Sequence, residues 1–122
     1  MRSAFLAACF AALAILVSVQ SHAAGALATG RCGAYGYSTD DPSPEAAAMR
    51  ARAQCKGTDC KVVANFRKTC AAFAIDPKNA CGPIGWAKAD SLARAQNIAS
   101  EQCQRFGGKT RVIRAWMCDG RG

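Results

Sequence analysis

Histidine is almost absent from this chain: His22 is the one example in 122 residues. It stands in a stretch that reads as a removable leader, so the mature chain is expected to hold none. That absence excludes a Ser/His/Asp triad, a Cys/His nucleophile pair and any Cys/His zinc site. Acidic residues are scarce as well, eight against sixteen Lys and Arg. Most of them fall at turns or helix starts, among them Asp40 and Asp41, Asp76, and Asp90. Little carboxylate is left for a hydrolytic pair flanking a cleft. Long apolar runs are missing too. Ala4 to Val17 is about 14 residues, short of the roughly 20 that a spanning helix needs. No transmembrane segment is expected in the mature chain.

The N-terminal stretch "MRSAFLAACFAALAILVSVQSHA" has the organisation of a secretory signal peptide, residues 1–23. Arg2 supplies the positive end, the apolar run follows, and Ser21-His22-Ala23 places small residues at the cleavage positions. Cys9 lies at the start of the apolar run, so it goes with the leader. The mature chain, Ala24 to Gly122, is then one domain of 99 residues (122 less 23) with a charge of +7 (15 basic less 8 acidic). Its expected location is periplasmic or secreted. A basic surface of this kind suits an acidic partner.

Residues 24–31 are small and weakly patterned and are expected to form a flexible lead-in to a domain over 32–122. From there the chain repeats itself. Cys32-Gly33 is answered by Cys81-Gly82, "GY" at 36–37 by "GW" at 85–86, and Cys70 by Cys118. Ala47, Ala51 and Cys55 run at four-residue spacing, as do Ala95, Ala99 and Cys103. "KVV" at 61–63 matches "RVI" at 111–113. This predicts an internal duplication, with half one at 32–76 and half two at 81–119. Each half reads strand, helix, strand. Ser43 before Pro44 and Glu45 predicts one helix start, and Asp90 or Ser91 the other. Gly57 and Gly107-Gly108 predict the stops. The expected fold class is α+β: a single sheet of β-α-β-β-α-β order with both helices on one face, a ferredoxin-like or similar disulfide-stabilised sandwich.

The stretches "AYGYS", "DCKVVANFRKTCAAFAI", "GWAKA" and "RVIRAWMC", with the Ala-rich helix ending in "QC", resemble the bacterial family called domain of unknown function 4189. The resemblance covers about residues 33–119. It implies a small exported cysteine-rich α+β protein and no known catalytic motif. The family pattern often has a cysteine before the last strand, where this chain has Thr110.

Without Cys9 the chain has seven cysteines, so at least one is unpaired within the chain. A redox site wants Cys-x-x-Cys at a helix start, whereas Cys55 and Cys60 are five apart and Cys55 ends a helix. Zinc wants two close pairs. Disulfides are the stronger reading in an exported chain. Six paired among seven allows roughly 105 connectivities, which spacing leaves open. Position favours a local Cys55–Cys60 bridge, a Cys70–Cys118 bridge joining the halves, and a Cys32–Cys81 bridge between equivalent places. Cys103 is then the candidate free thiol, buried and inert or pairing with another chain.

Arg67 and Lys68 in one half and Lys109, Arg111 and Arg114 in the other form a candidate basic binding patch along one edge. Tyr35, Tyr37, Phe66, Phe73, Trp86 and Trp116 read as core or sheet-surface residues. No nucleic-acid partner is expected, because the third strand lacks the basic-Gly-aromatic run of RNA-recognition modules. No catalytic residue, metal or cofactor is assigned. The expected function is an exported non-enzymatic binding module, such as a periplasmic inhibitor or immunity-type protein or a secreted interaction protein. Its partner would be a protein or an envelope component. The alternatives are a small hydrolase using Glu101 with a nearby Asp, and a cationic envelope-surface binder.

Overall fold

The computed structural model describes residues 23–120. The leader, with Cys9 and His22, lies outside the described residues. The elements follow in the order β1 (Ala24–Thr29), β2 (Tyr35–Asp41), α1 (Pro44–Gln54), β3 (Lys61–Phe66), β4 (Cys70–Ile75), β5 (Ile84–Ala89), α2 (Leu92–Arg105) and β6 (Val112–Cys118). Both helices begin at serine caps. The Ser43 hydroxyl accepts from the Ala46 N–H and the Ser91 hydroxyl from the Arg94 N–H, each satisfying a first-turn donor.

The α+β class and the duplication hold, but the single sheet does not. The strands form two three-stranded antiparallel sheets, ordered β2-β1-β3 and β5-β4-β6. The helices do not share a face either. The α1 helix covers the first sheet and α2 the second, and the two sheets pack their other faces together. The layers run helix, sheet, sheet, helix.

Residues 24–29 are no flexible lead-in. They form the central strand of the first sheet, buried at every position. The β4 strand is its counterpart, also buried throughout. Each repeat is therefore β-β-α-β with its first strand in the middle. Cys70 opens the second copy rather than closing the first.

Strand pairing fixes the correspondence between the copies. Leu27 lies between Tyr37 and Ala64, as Phe73 lies between Trp86 and Ala115. Ala28 lies between Gly36 and Val62, as Ala74 lies between Gly85 and Ile113. Val62 thus answers Ile113, one residue on from the match read in the sequence. Both sheets also carry a β-bulge at the same place. The register steps over Val63 in β3 and over Arg114 in β6.

Burial on both faces sorts β1 and β4 by size. Ala24, Ala26 and Ala28 meet Ala47 and Ala51 of α1. Cys70, Ala72 and Ala74 meet Ala95, Ala99 and Cys103 of α2. The large side chains turn the other way. Leu27, Phe66, Phe73, Ile75 and Met117 fill the space between the sheets. Small residues let each helix lie close to its sheet. At Gly36 an added Cβ would strike the Ala51 carbonyl oxygen, and at Gly85 that of Ala99. These two glycines are equivalent, so both copies depend on the same close approach.

The C-terminal end is tied down by Asp119, which is fully buried. Its carboxylate accepts from the Asp40 N–H at 2.7 Å and the Lys68 N–H at 3.4 Å. Both donors have positive φ, 58° and 53°, a conformation non-glycine residues adopt at a cost. The buried carboxylate offsets that cost with hydrogen bonds to a charged acceptor.

Gly85→Ala is expected to destabilise the domain by about 1–3 kcal/mol through overpacking. An exposed control, Lys56→Ala, should change stability by less than about 0.5 kcal/mol. Urea unfolding followed by circular dichroism measures both.

Candidate functional site

The basic residues singled out in the sequence do not form one edge. Arg67 and Lys68 sit in the turn between β3 and β4, beside Asp119. Lys109 and Arg111 precede β6 at the opposite end of the sheet, where the Lys109 N–H donates to Asp76. The six residues of β4 separate the two groups, a span of about 20 Å at the usual rise per residue. The duplication does not bring them together, because the β3–β4 turn is a junction between copies. Arg67 lines a cleft of about 600 Å³ where β1 begins, with Asn65, Thr69, Lys88 and Asp90. Lys88 is engaged there, its Nζ donating to the Asn65 carbonyl at 2.9 Å.

Arg114 stands apart, in the middle of β6. As the extra residue of a bulge it has no partner on β4, and bulges re-aim the side chains they carry. Its guanidinium carbon lies 5.8 Å from the centroid of the Tyr35 ring, within cation–π range. Here the outer strand of one sheet, β2, passes the outer strand of the other, β6. The rim holds a cleft of about 360 Å³ lined by Tyr35, Tyr37, Arg114, Ala115 and Trp116. Tyr37 is 38% exposed and Trp116 56% exposed. Both tyrosines of the chain and one of its two tryptophans lie in this small surface. Reading the aromatics as core or sheet surface missed it, because strand alternation does not show where two sheets meet.

The second copy supplies an internal comparison. By register, Tyr35, Tyr37, Arg114 and Trp116 correspond to Ile84, Trp86, Val63 and Asn65. At that equivalent rim Ile84, Trp86 and Val63 pack against the core. Lys88 reaches from β5 to the Asn65 carbonyl of β3. Tyr35 packs against the core as well, so the β2/β6 rim differs in the exposure of Tyr37, Trp116 and Arg114. The fold itself does not require the exposed version.

Among the described residues the cysteines form three bridges: Cys32–Cys81, Cys55–Cys60 and Cys70–Cys118. The first joins equivalent positions and so ties the two copies to each other. Cys70–Cys118 does not join the halves. It links neighbouring strands of the second sheet, where Cys70 and Cys118 are directly opposite. Cys55–Cys60 clips the end of α1 to the start of β3.

Cys103 is unbridged and fully buried. The α2 helix continues past it to Arg105, whereas α1 ends at Gln54, just before Cys55. Cys103 therefore faces the sheet from within a helix, and its thiol donates to the Pro83 carbonyl. Burial, with Asp76 adding to it and Arg111 opposing, pushes the thiol above its ordinary 9.0. A raised pKa in a closed site makes a poor nucleophile.

The buried acids serve the scaffold. Asp41 pairs with the Arg50 guanidinium at 3.2 Å and accepts from the Ser38 hydroxyl. Asp76 accepts from the Lys78 and Lys109 N–H groups. Glu101 lies on the exposed face of α2, in a shallow cleft with Gln104 and Arg105.

Two outcomes follow from the cysteines. Without reductant, Cys103 of the folded protein should resist alkylation, and denaturant should expose its thiol, as mass spectrometry of the labelled peptides would show. Loss of the Cys32–Cys81 or Cys70–Cys118 bridge in paired serine variants should cost about 2–4 kcal/mol. Loss of the five-residue Cys55–Cys60 loop should cost less, since short loops constrain the unfolded chain less. Thermal melts of the three paired variants rank them.

No curated protein and no solved structure was found to match the chain. The family described as domain of unknown function (DUF4189) matches residues 24–118. Its match begins with β1 and ends with β6, taking in both copies of the repeat, and the chain belongs to this family.

Proposed function

We propose that the protein is an exported, non-enzymatic binding module whose partner is a protein or a component of the cell envelope. The observation that carries this reading is the open β2/β6 rim. Two exposed aromatic residues and Arg114 line one cleft there, while Lys88 bridges the strands of the equivalent rim. Exposed aromatics beside arginine are the residue types that dominate binding hot spots. Three disulfides in a domain this small support an oxidising compartment, periplasmic or extracellular. The leader-like sequence of residues 1–23 supports the same placement. No helix among the described residues is long and apolar enough to cross a membrane.

The exposed rim supports a specific contact over a purely charge-driven one. Its lining carries one cation beside three aromatic rings. Binding that rests on rings and one guanidinium is expected to weaken modestly with salt. Binding driven by the whole charge would collapse across the same range.

Expression in a bacterial host with fractionation tests the placement. The product is expected in the periplasm or medium, beginning at Ala24. Capture on isolated envelopes tests the rim. A Trp116→Ala/Arg114→Ala variant should lose retention, whereas Lys109→Ala/Arg111→Ala should keep it. Full-length protein held in the cytoplasm, or equal retention of both variants, would overturn the reading.

A further inference from the structure

We infer that the β2/β6 rim binds a carboxylated glycan, one sugar ring stacking on Trp116 or Tyr37 while its carboxylate takes the Arg114 guanidinium. This inference rests on the binding-module reading and names the ligand chemistry of the same surface.

The cleft asks for two things at once. Tyr37 and Trp116 are exposed and line the cleft, and aromatic rings carry apolar faces. Such faces are electron-rich and suit the flat C–H side of a pyranose. Arg114 presents a planar fork of donors that matches a carboxylate bidentately. Among the described residues no carboxylate lines the cleft, so none of them competes for the guanidinium within it. The mature chain's charge of +7, 15 basic less 8 acidic residues, favours the approach of an anion. A cleft of about 360 Å³ lies at the small-ligand end of binding sites.

Two other occupants fit less well. A peptide added to a sheet edge needs an uninterrupted ladder of backbone partners. Both edges here are broken: β6 is bulged at Arg114, and the β1–β2 register shifts between Ala24 and Ala26. A single-stranded nucleic acid needs a track of cations for successive phosphates. Among the described residues Arg114 is the one cation in the lining, and Arg67 and Lys68 lie at the far end of the sheet from Lys109 and Arg111. One charge in a cleft lined by aromatic residues fits a sugar bearing one carboxylate.

The divergence between copies points the same way. Replacing Tyr37, Arg114 and Trp116 by their counterparts gives Trp86, Val63 and Asn65. That set has no guanidinium, and its one ring is half-buried.

Titration of the disulfide-intact protein with trigalacturonate, followed by tryptophan fluorescence and calorimetry, tests this. Trigalacturonate is expected to bind and to change the emission of Trp116. Its methyl ester, with the same rings and no charge, should bind at least tenfold more weakly. Arg114→Ala should lose about tenfold or more, Arg114→Lys part of that, and Trp116→Ala a similar amount. Trp86→Phe should keep the affinity and remove the background emission. Unchanged melting temperatures show that the variants fold. Absence of binding, equal affinity for the ester, or tighter binding of a tetrathymidylate would overturn the glycan assignment. If envelope retention still depends on Trp116 and Arg114 in that case, the binding-module reading stands and the ligand class alone fails. If retention is also indifferent to both residues, both fail together.

Discussion

Two strands, β1 and β4, are buried on both faces, and the rest of the molecule is arranged around that constraint. A strand in the middle of a helix-sheet-sheet-helix stack has no solvent side. It must offer small residues to one neighbour and large ones to the other. Ala24, Ala26 and Ala28 therefore alternate with Gly25 and Leu27, and Cys70, Ala72 and Ala74 with Ala71, Phe73 and Ile75. The first set brings the helices near enough that Gly36 and Gly85 have no room for a Cβ. The second set makes the apolar layer between the sheets. In a domain of about 100 residues that layer is modest, and three disulfides add to it.

The duplication explains why the bridges lie where they do. Cys32 and Cys81 occupy the same place in their respective copies, next to each other, and their bond joins the repeats. Cys55 and Cys103 are also equivalent, yet only Cys55 is bridged. The longer α2 holds Cys103 buried against the sheet, and the segment before β6 carries Thr110 rather than a cysteine. The copies have also diverged at their rims. One is closed by Trp86, Val63 and Lys88, and the other is opened by Tyr37, Arg114 and Trp116. Both edges bring outer strands of the two sheets together, and they differ in the residues they expose.

Much of the local structure was legible in the residues. The caps at Ser43 and Ser91 were readable because a hydroxyl before a helical run satisfies a specific orphan N–H. The Ala and Cys stripes were readable because four-residue spacing places them on one helical face. The strand β1 was not. "AGALAT" contains no β-branched or aromatic residue before its final threonine and no polar alternation. Burial on both faces removes the period-two signal by which a strand is usually recognised. Missing β1 shifted the repeat boundary, and the shifted boundary made Cys70 look like the counterpart of Cys118. Two sheets then read as one, since the strands were assigned to the wrong copies.

Sequence alone determined the leader-like opening, the helices, the cysteine surplus and the existence of a repeat. Each is written in neighbouring residues or in a fixed spacing. Tertiary structure decided which strand lies at the centre of each sheet, which cysteines face one another, and which aromatics meet Arg114. Those outcomes depend on pairing register and on the stacking of one sheet upon the other. A bulge of one residue in β6 turns Arg114 toward Tyr35. A sequence records that extra residue without showing which residue opposite it goes unpaired.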